Sequence, residues 1–273
     1  MSPSFEALRW FPLPPACLPP EQAGPEIERM TAARAGSRGT PVNPGLTDIG
    51  AAVSAAAADQ NPPAWSRVLA VVAHPDDETF GLGAVIDLMR QAGASVDVLC
   101  FTHGEASALN ETGATLHAAR SRELRQANAE LGVTAVDLLD YADGQLSCVP
   151  AAELAARIIS ALDQYRPDGM LVFDETGVTG HPDHQAATAA ALHAVRSRGL
   201  PVLAWALPDA IADQLRRETG QLDLHLRVNR ATQRQAALAD ASQISPSAVL
   251  WRRLQLLGDH EHLRWLRSPD PAY

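Results

Sequence analysis

The chain has 273 residues, 46% of them hydrophobic and 20% charged, an ordinary globular balance with enough apolar material for a substantial core. Its formal net charge of -10 and sequence pI of about 5.3 argue against nucleic acid as the main partner, because a phosphate backbone is held by an excess of Lys and Arg. No run approaches the ~20 apolar residues of a membrane helix. Three cysteines without a Cys-x-x-Cys pair read as reduced, mostly buried thiols of a cytoplasmic protein.

Residues 1 to about 63 are rich in Pro, Ala and Gly, from Pro3 through Pro62 and Pro63. Proline at this density interrupts helices and sheet ladders, so residues 1–63 read as a disordered or loosely packed extension, with a short Ala-rich helix over Ile49–Ala58. The remainder, residues 64–273, reads as one domain. Strands are expected over Val68–Ala73, Ser95–Phe101, Ala135–Tyr141, Met170–Phe173 and Val202–Ala206. Helical spacing of apolar residues marks Gly81–Gln91, Thr115–Leu131, Ala151–Tyr165 and Gln185–Arg196. This alternation implies an α/β fold, a mostly parallel, doubly wound, Rossmann-like sheet with helices on both faces. Beyond Pro208 the pattern is less regular. Leu222–Val228 reads as an edge strand, Ala231–Ala241 and Ala248–Leu257 as helices, and His260–Leu266 as a short last helix.

Chemistry concentrates at two strand ends. His74-Pro75-Asp76-Asp77-Glu78 follows the first apolar strand, and His181-Pro182-Asp183-His184 follows Met170–Phe173. In open α/β sheets ligands bind at the carboxyl ends of strands. Imidazole with carboxylate suits zinc or a similar divalent ion, so the two clusters suggest one metal site built from distant parts of the chain. Asp76 and Asp77 are adjacent and can point in different directions, one to the metal and one free as a base. The competing reading makes these residues helix caps, Asp76 or Asp77 for the helix near Thr79 and His184 for the helix after Pro182. Two such clusters at two strand ends favour the metal. Other features are weaker. Gly81-Leu-Gly83 lacks the register of a dinucleotide loop. Glu78 reads as a supporting or capping residue, His103 and Glu105 as either pocket or turn residues. His260 and His262 read as surface residues, and Trp205, Trp251 and Trp265 as packing.

The runs Ala73-His-Pro-Asp-Asp-Glu78 and Gly180-His-Pro-Asp-His184 together resemble the LmbE-like, PIG-L-type N-acetylglucosaminyl deacetylase family. Thr102-His-Gly-Glu105, Arg120-Ser-Arg-Glu123, Asp143, Ser242-Gln243 and Glu261 agree with its pattern. The resemblance implies a zinc-dependent N-deacetylase or amidase, with Fe2+ as an alternative ion, acting on a small glycoconjugate. It implies His74, Asp77 and His184 as metal ligands and Asp76 as general base. His181 would stabilise the oxyanion or protonate the leaving amine, and Arg120 and Asp143 would contact sugar hydroxyls. Two positions depart from the family. Thr179 stands where mycothiol-pathway members carry tyrosine, and Asp240 stands where members carry histidine two residues before Ser-Gln. Substrate choice therefore stays open, with a thiol conjugate or an acylated antibiotic sugar as alternatives and a non-catalytic metal-bound binding module as a third. A homo-oligomer is also open.

Overall fold

The computed structural model describes residues 60–106, 114–215, 222–243 and 249–269. All of them lie in the unit Asn43–Tyr273; the unit Met1–Val42, and with it most of the proline-rich segment, lies outside the described residues, as does Ile49–Ala58.

The first part alternates as its sequence dictates. Strand β1 (Arg67–Val72) leads through a π-helical turn (Asp77–Gly81) into helix α1 (Gly83–Gln91). Then come β2 (Ser95–Thr102), α2 (Ala114–Leu131), β3 (Ala135–Tyr141) and α3 (Ala151–Tyr165). Strand β4 (Gly169–Phe173) is followed by a four-residue helical turn (Gly177–Gly180) and α4 (Pro182–Ala194). Strand β5 (Val202–Trp205), α5 (Asp209–Leu215), β6 (Leu224–Arg227), α6 (Ala231–Ala237), α7 (Val249–Leu257) and β7 (His260–Arg267) complete the described chain.

The seven strands form one sheet in the order β3-β2-β1-β4-β5-β7-β6. The first five are parallel, and β7 pairs antiparallel with both β5 and β6. Residues of β1 alternate between two cores, as the two-residue period of a strand requires. Val68, Ala70 and Val72 join one apolar cluster with Ile86 and Leu124; Leu69 and Val71 join the other with Ile158 and Ala191. Helix α3 buries Leu154, Ala155, Ile158, Ala161 and Leu162, the stripe expected of a helix covering a sheet.

One expected element is corrected. His260–Leu266 is not a helix but most of β7, inserted between β5 and β6. Seven residues fit either period. Pairing on both edges decides the matter: Leu263 and Trp265 pack on one face of the sheet and Leu266 on the other. His260 and His262 are consequently buried rather than at the surface. Of the cysteines, Cys100 is a buried free thiol. Trp205 and Trp265 do pack in the apolar core, and Trp251 packs edge-on against Phe80. Gly81 belongs to packing as well: a Cβ there would lie 2.5 Å from the Phe173 ring. Among the described residues no helix is long and apolar enough to cross a membrane.

Candidate metal centre

The strand order reverses between β1 and β4, which pair directly. Such a switch point is where a doubly wound sheet opens a crevice at its carboxyl edge. His74 leaves the end of β1 and His184 lies in the first turn of α4, beyond β4. The topology thus brings together residues 110 positions apart.

His74 Nδ1 lies 3.2 Å from His184 Nε2, and His184 Nε2 lies 3.1 Å from Asp77 Oδ1. Asp77 Oδ2 is 3.6 Å from His74 Nδ1 and also accepts from the backbone N–H groups of Ala73 and His74, at 3.2 and 3.0 Å. Ligand atoms placed tetrahedrally around zinc, at bonds of roughly 2.0–2.1 Å, stand about 3.4 Å apart. These separations, which run to different oxygens of the Asp77 carboxylate, lie near that spacing, and all three residues are buried.

The outward nitrogens fix the tautomers. His184 Nδ1 is 3.0 Å from the Gly177 carbonyl oxygen, which can only accept. His74 Nε2 is 3.0 Å from Asp143 Oδ1 and 3.2 Å from Asp183 Oδ2. Both outward nitrogens therefore donate, and the inward nitrogens approach to 3.2 Å, each able to offer a lone pair when unprotonated. A proton on His74 or a bound cation makes that approach favourable. Burial opposes a charge on His74, but Asp143, Asp183 and Asp77 outweigh it and raise its pKa well above the ordinary imidazole value. Burial likewise raises Asp77, and the two imidazoles outweigh it, holding the carboxyl well below its usual range. The donor set fits a divalent cation.

Asp76 is held differently. Its φ is 94°, in the left-handed region that few side chains other than Asn and Asp enter readily, and strain of this kind clusters at functional sites. No side-chain capping bond is made by Asp76 to the π-helical turn, so the cap reading does not apply to it. Its backbone N–H donates to Glu78 Oε2 at 3.1 Å, and Glu78 is locked in turn by Asn128. Burial pushes Asp76 up to about 6, against the opposing pull of Arg120.

His181 is the N-cap of α4: its Nδ1 accepts from the Asp183 N–H at 3.1 Å, with Pro182 in the first turn. The capping role expected of His184 belongs to His181. Burial, with His74 and His184 as like-charged neighbours, depresses its pKa, and because Nδ1 accepts, the ring N–H stands at Nε2.

Asp143 lies beyond β3, its Oδ2 accepting from the Ala106 N–H while its own N–H donates to Glu105 Oε1. Burial raises its pKa, but His74 and the Ala106 N–H prevail and lower it. Glu105 is thus a turn residue that places Asp143. His103 contacts Ser121 Oγ and Asp140 Oδ1, both at 2.8 Å. Arg120 is buried, with its guanidinium on Gly104 O, Pro75 O and Asp76 Oδ2.

Asp183 had no role from sequence, yet it is fully buried and grips His74 while accepting from the Gly144 and Leu146 N–H groups. An Asp in the first turn of a helix reads as ordinary helix chemistry; its place within His-Pro-Asp-His was the only signal. Glu261 is internal support, paired with Arg230 and accepting the Trp205 indole N–H at 2.6 Å. Asp240 accepts from Thr79 Oγ1 at 2.6 Å behind Asp76, and burial together with Asp76 pushes it up to about 8.

Residues 69–195, which carry both motifs, match the PIG-L family, GlcNAc-PI de-N-acetylase. These residues belong to the PIG-L, LmbE-like family. The sequence is 32% identical over 177 residues to a 1D-myo-inositol 2-acetamido-2-deoxy-alpha-D-glucopyranoside deacetylase of Nakamurella multipartita, covering 54% of this chain and 59% of that relative. The chain thus spans little more than half the length of such a relative. The fold is that of the N,N'-diacetylchitobiose deacetylase from Pyrococcus horikoshii, with a TM-score of 0.61 at 19% identity over 85% of this chain and 95% of that one. It is also that of the 4-carboxy-2-hydroxymuconate hydratase from Pseudomonas putida, with a TM-score of 0.59 at 19% identity over 74% and 96%. The PIG-L fold therefore carries more than one reaction, and the site has to argue for the chemistry.

Proposed function

We propose that this PIG-L-type domain hydrolyses the acetamido bond of an N-acetylglucosamine-type glycoconjugate, releasing acetate and the free amine, with zinc held by His74, Asp77 and His184. One observation carries the reading: the inward nitrogens of two buried imidazoles stand 3.2 Å apart beside the Asp77 carboxylate. A bound divalent ion would polarise the amide carbonyl and lower the pKa of an attacking water.

The remaining steps belong to the protein. The Asp76 carboxylate, adjacent in sequence to Asp77, takes a proton from the attacking water. Neutral His181 donates its Nε2–H to the oxygen that gains charge, since its Nδ1 is already occupied by the Asp183 N–H. The proton collected by Asp76 is returned to the leaving nitrogen, and the remaining proton of the water passes from the acid product to the amine, so acetate and the protonated amine leave without a net change on the protein. Asp143 retains acceptor capacity on both oxygens for a sugar hydroxyl, in line with the resemblance. The deacetylase relative supports amide hydrolysis over the hydration carried out by the other fold relative.

The test is a panel of N-acetylglucosaminyl conjugates, with aglycones that include inositol, a thiol conjugate and an acylated antibiotic sugar, assayed for acetate and amine with zinc-loaded and chelator-treated protein. Amine release by the zinc-loaded protein alone is expected. Equal release after complete metal removal, or metal binding with no release from any member, would overturn the reading; the second outcome favours a binding module.

A further inference from the structure

We propose that Arg120 is a positioning residue for the Asp76 carboxylate; the proposal rests on the deacetylase reading above. Arg120 extends from α2 with only 3% of its surface exposed. Its Nη2 donates to the Pro75 carbonyl at 2.6 Å and to Asp76 Oδ2 at 3.1 Å, and its Nη1 donates to the Gly104 carbonyl at 2.6 Å. The carbonyls come from the loops after β1 and β2. One planar guanidinium therefore ties two loops at the carboxyl edge of the sheet and aims the carboxylate between them.

Asp76 needs such a partner. Its main chain is fixed independently: its carbonyl accepts from Thr79 Oγ1 and from the Phe80 N–H, both at 2.9 Å, and its N–H donates to Glu78 Oε2. Its carboxylate is held by the hydrogen bond from Arg120. The loop after β2 is shaped to let the guanidinium through. Gly104 has a φ of 66°, and a Cβ there would lie 2.1 Å from Arg120 Nη1 and 2.4 Å from its Cζ. This gives the glycine of Thr102-His-Gly-Glu105 a physical reason: any side chain would displace Arg120. Lysine, a point charge on a flexible stem, cannot reproduce the fork that reaches two carbonyls and a carboxylate at once.

The experiment compares R120A, R120K and G104A with the wild type. It uses the N-acetyl conjugate that the wild type cleaves, measures bound zinc for each protein, and includes crystal structures of R120A and G104A. The expected result is a kcat lowered about 10²-fold or more with KM within about threefold, zinc content unchanged, and partial recovery of R120A by added methylguanidinium. G104A should repeat the kcat loss although Arg120 is intact. A KM raised more than about tenfold with kcat retained would make Arg120 a substrate contact and overturn the proposal. Loss of zinc from R120A and G104A would overturn it too. If the wild type cleaves no conjugate, the deacetylase reading fails separately, and the crystal structures still decide the positioning: an Asp76 carboxylate unmoved in both R120A and G104A refutes it.

Discussion

Replacing Asp76 by asparagine separates proton transfer from metal binding. Asparagine has the same shape and tolerates a φ of 94° about as well as aspartate, so the turn before α1 should hold. Its amide oxygen can still accept from Arg120 Nη2, and Arg120 keeps the carbonyls of Pro75 and Gly104, so no buried charge is stripped of all its hydrogen bonds. Glu78 retains the Asp76 main-chain N–H. The variant should therefore fold and bind zinc, since His74, Asp77 and His184 are untouched. What it loses is the base, worth about 10²–10⁴-fold in rate, or about 3–5 kcal/mol in the barrier. The assay pairs kcat for amine release with metal content by mass spectrometry, on D76N and D77N side by side. D76N should keep zinc and lose turnover; D77N should lose both. A D76N enzyme within about tenfold of wild type would refute the base assignment, and loss of zinc from D76N but not from D77N would show the two carboxylates exchanged.

Asp183→Asn should weaken zinc binding by about 10–100-fold, because it removes a carboxylate that orients the outward nitrogen of His74; zinc titration checks it, and an unchanged affinity would leave Asp143 as the sole anchor. Glu261→Ala should cost about 3–5 kcal/mol in urea unfolding, since it strands the buried Arg230 charge and the Trp205 N–H. His262, buried and 2.9 Å from His225 Nδ1, is depressed to about 3, by burial first and then by His225. A histidine lowered in the folded state binds its proton more readily when unfolded, so its contribution is intact above about pH 6.5 and falls away as the pH drops towards 3. His262→Gln, which can keep a hydrogen bond to His225, should flatten the loss of stability between pH 7 and pH 4; parallel unfolding curves for the two proteins would show that His262 is not the group responsible.

Much of the fold and of the candidate metal centre is legible in the order of residues. Val68–Ala73 and Met170–Phe173 are continuous apolar runs, which only a strand covered on both faces requires. The His-Asp clusters begin where those runs stop. Strand ends in such a sheet share one edge, so the two clusters could be expected to meet there, while the choice of His74, Asp77 and His184 as candidate ligands came from the resemblance. Local sequence could not show which groups stand behind the ligands. Asp183 serves His74 because α4 starts beside the β1 end, and Arg120 reaches Asp76 because α2 runs past two loops that are distant in the chain. The same limit explains β7. Residues 260–267 lack a decisive period, and their extended form comes from hydrogen bonds to β5 and β6 on either side. Apolar period and residue type act through the nearest few positions, whereas partners supplied by another element exist only once the chain has closed around them.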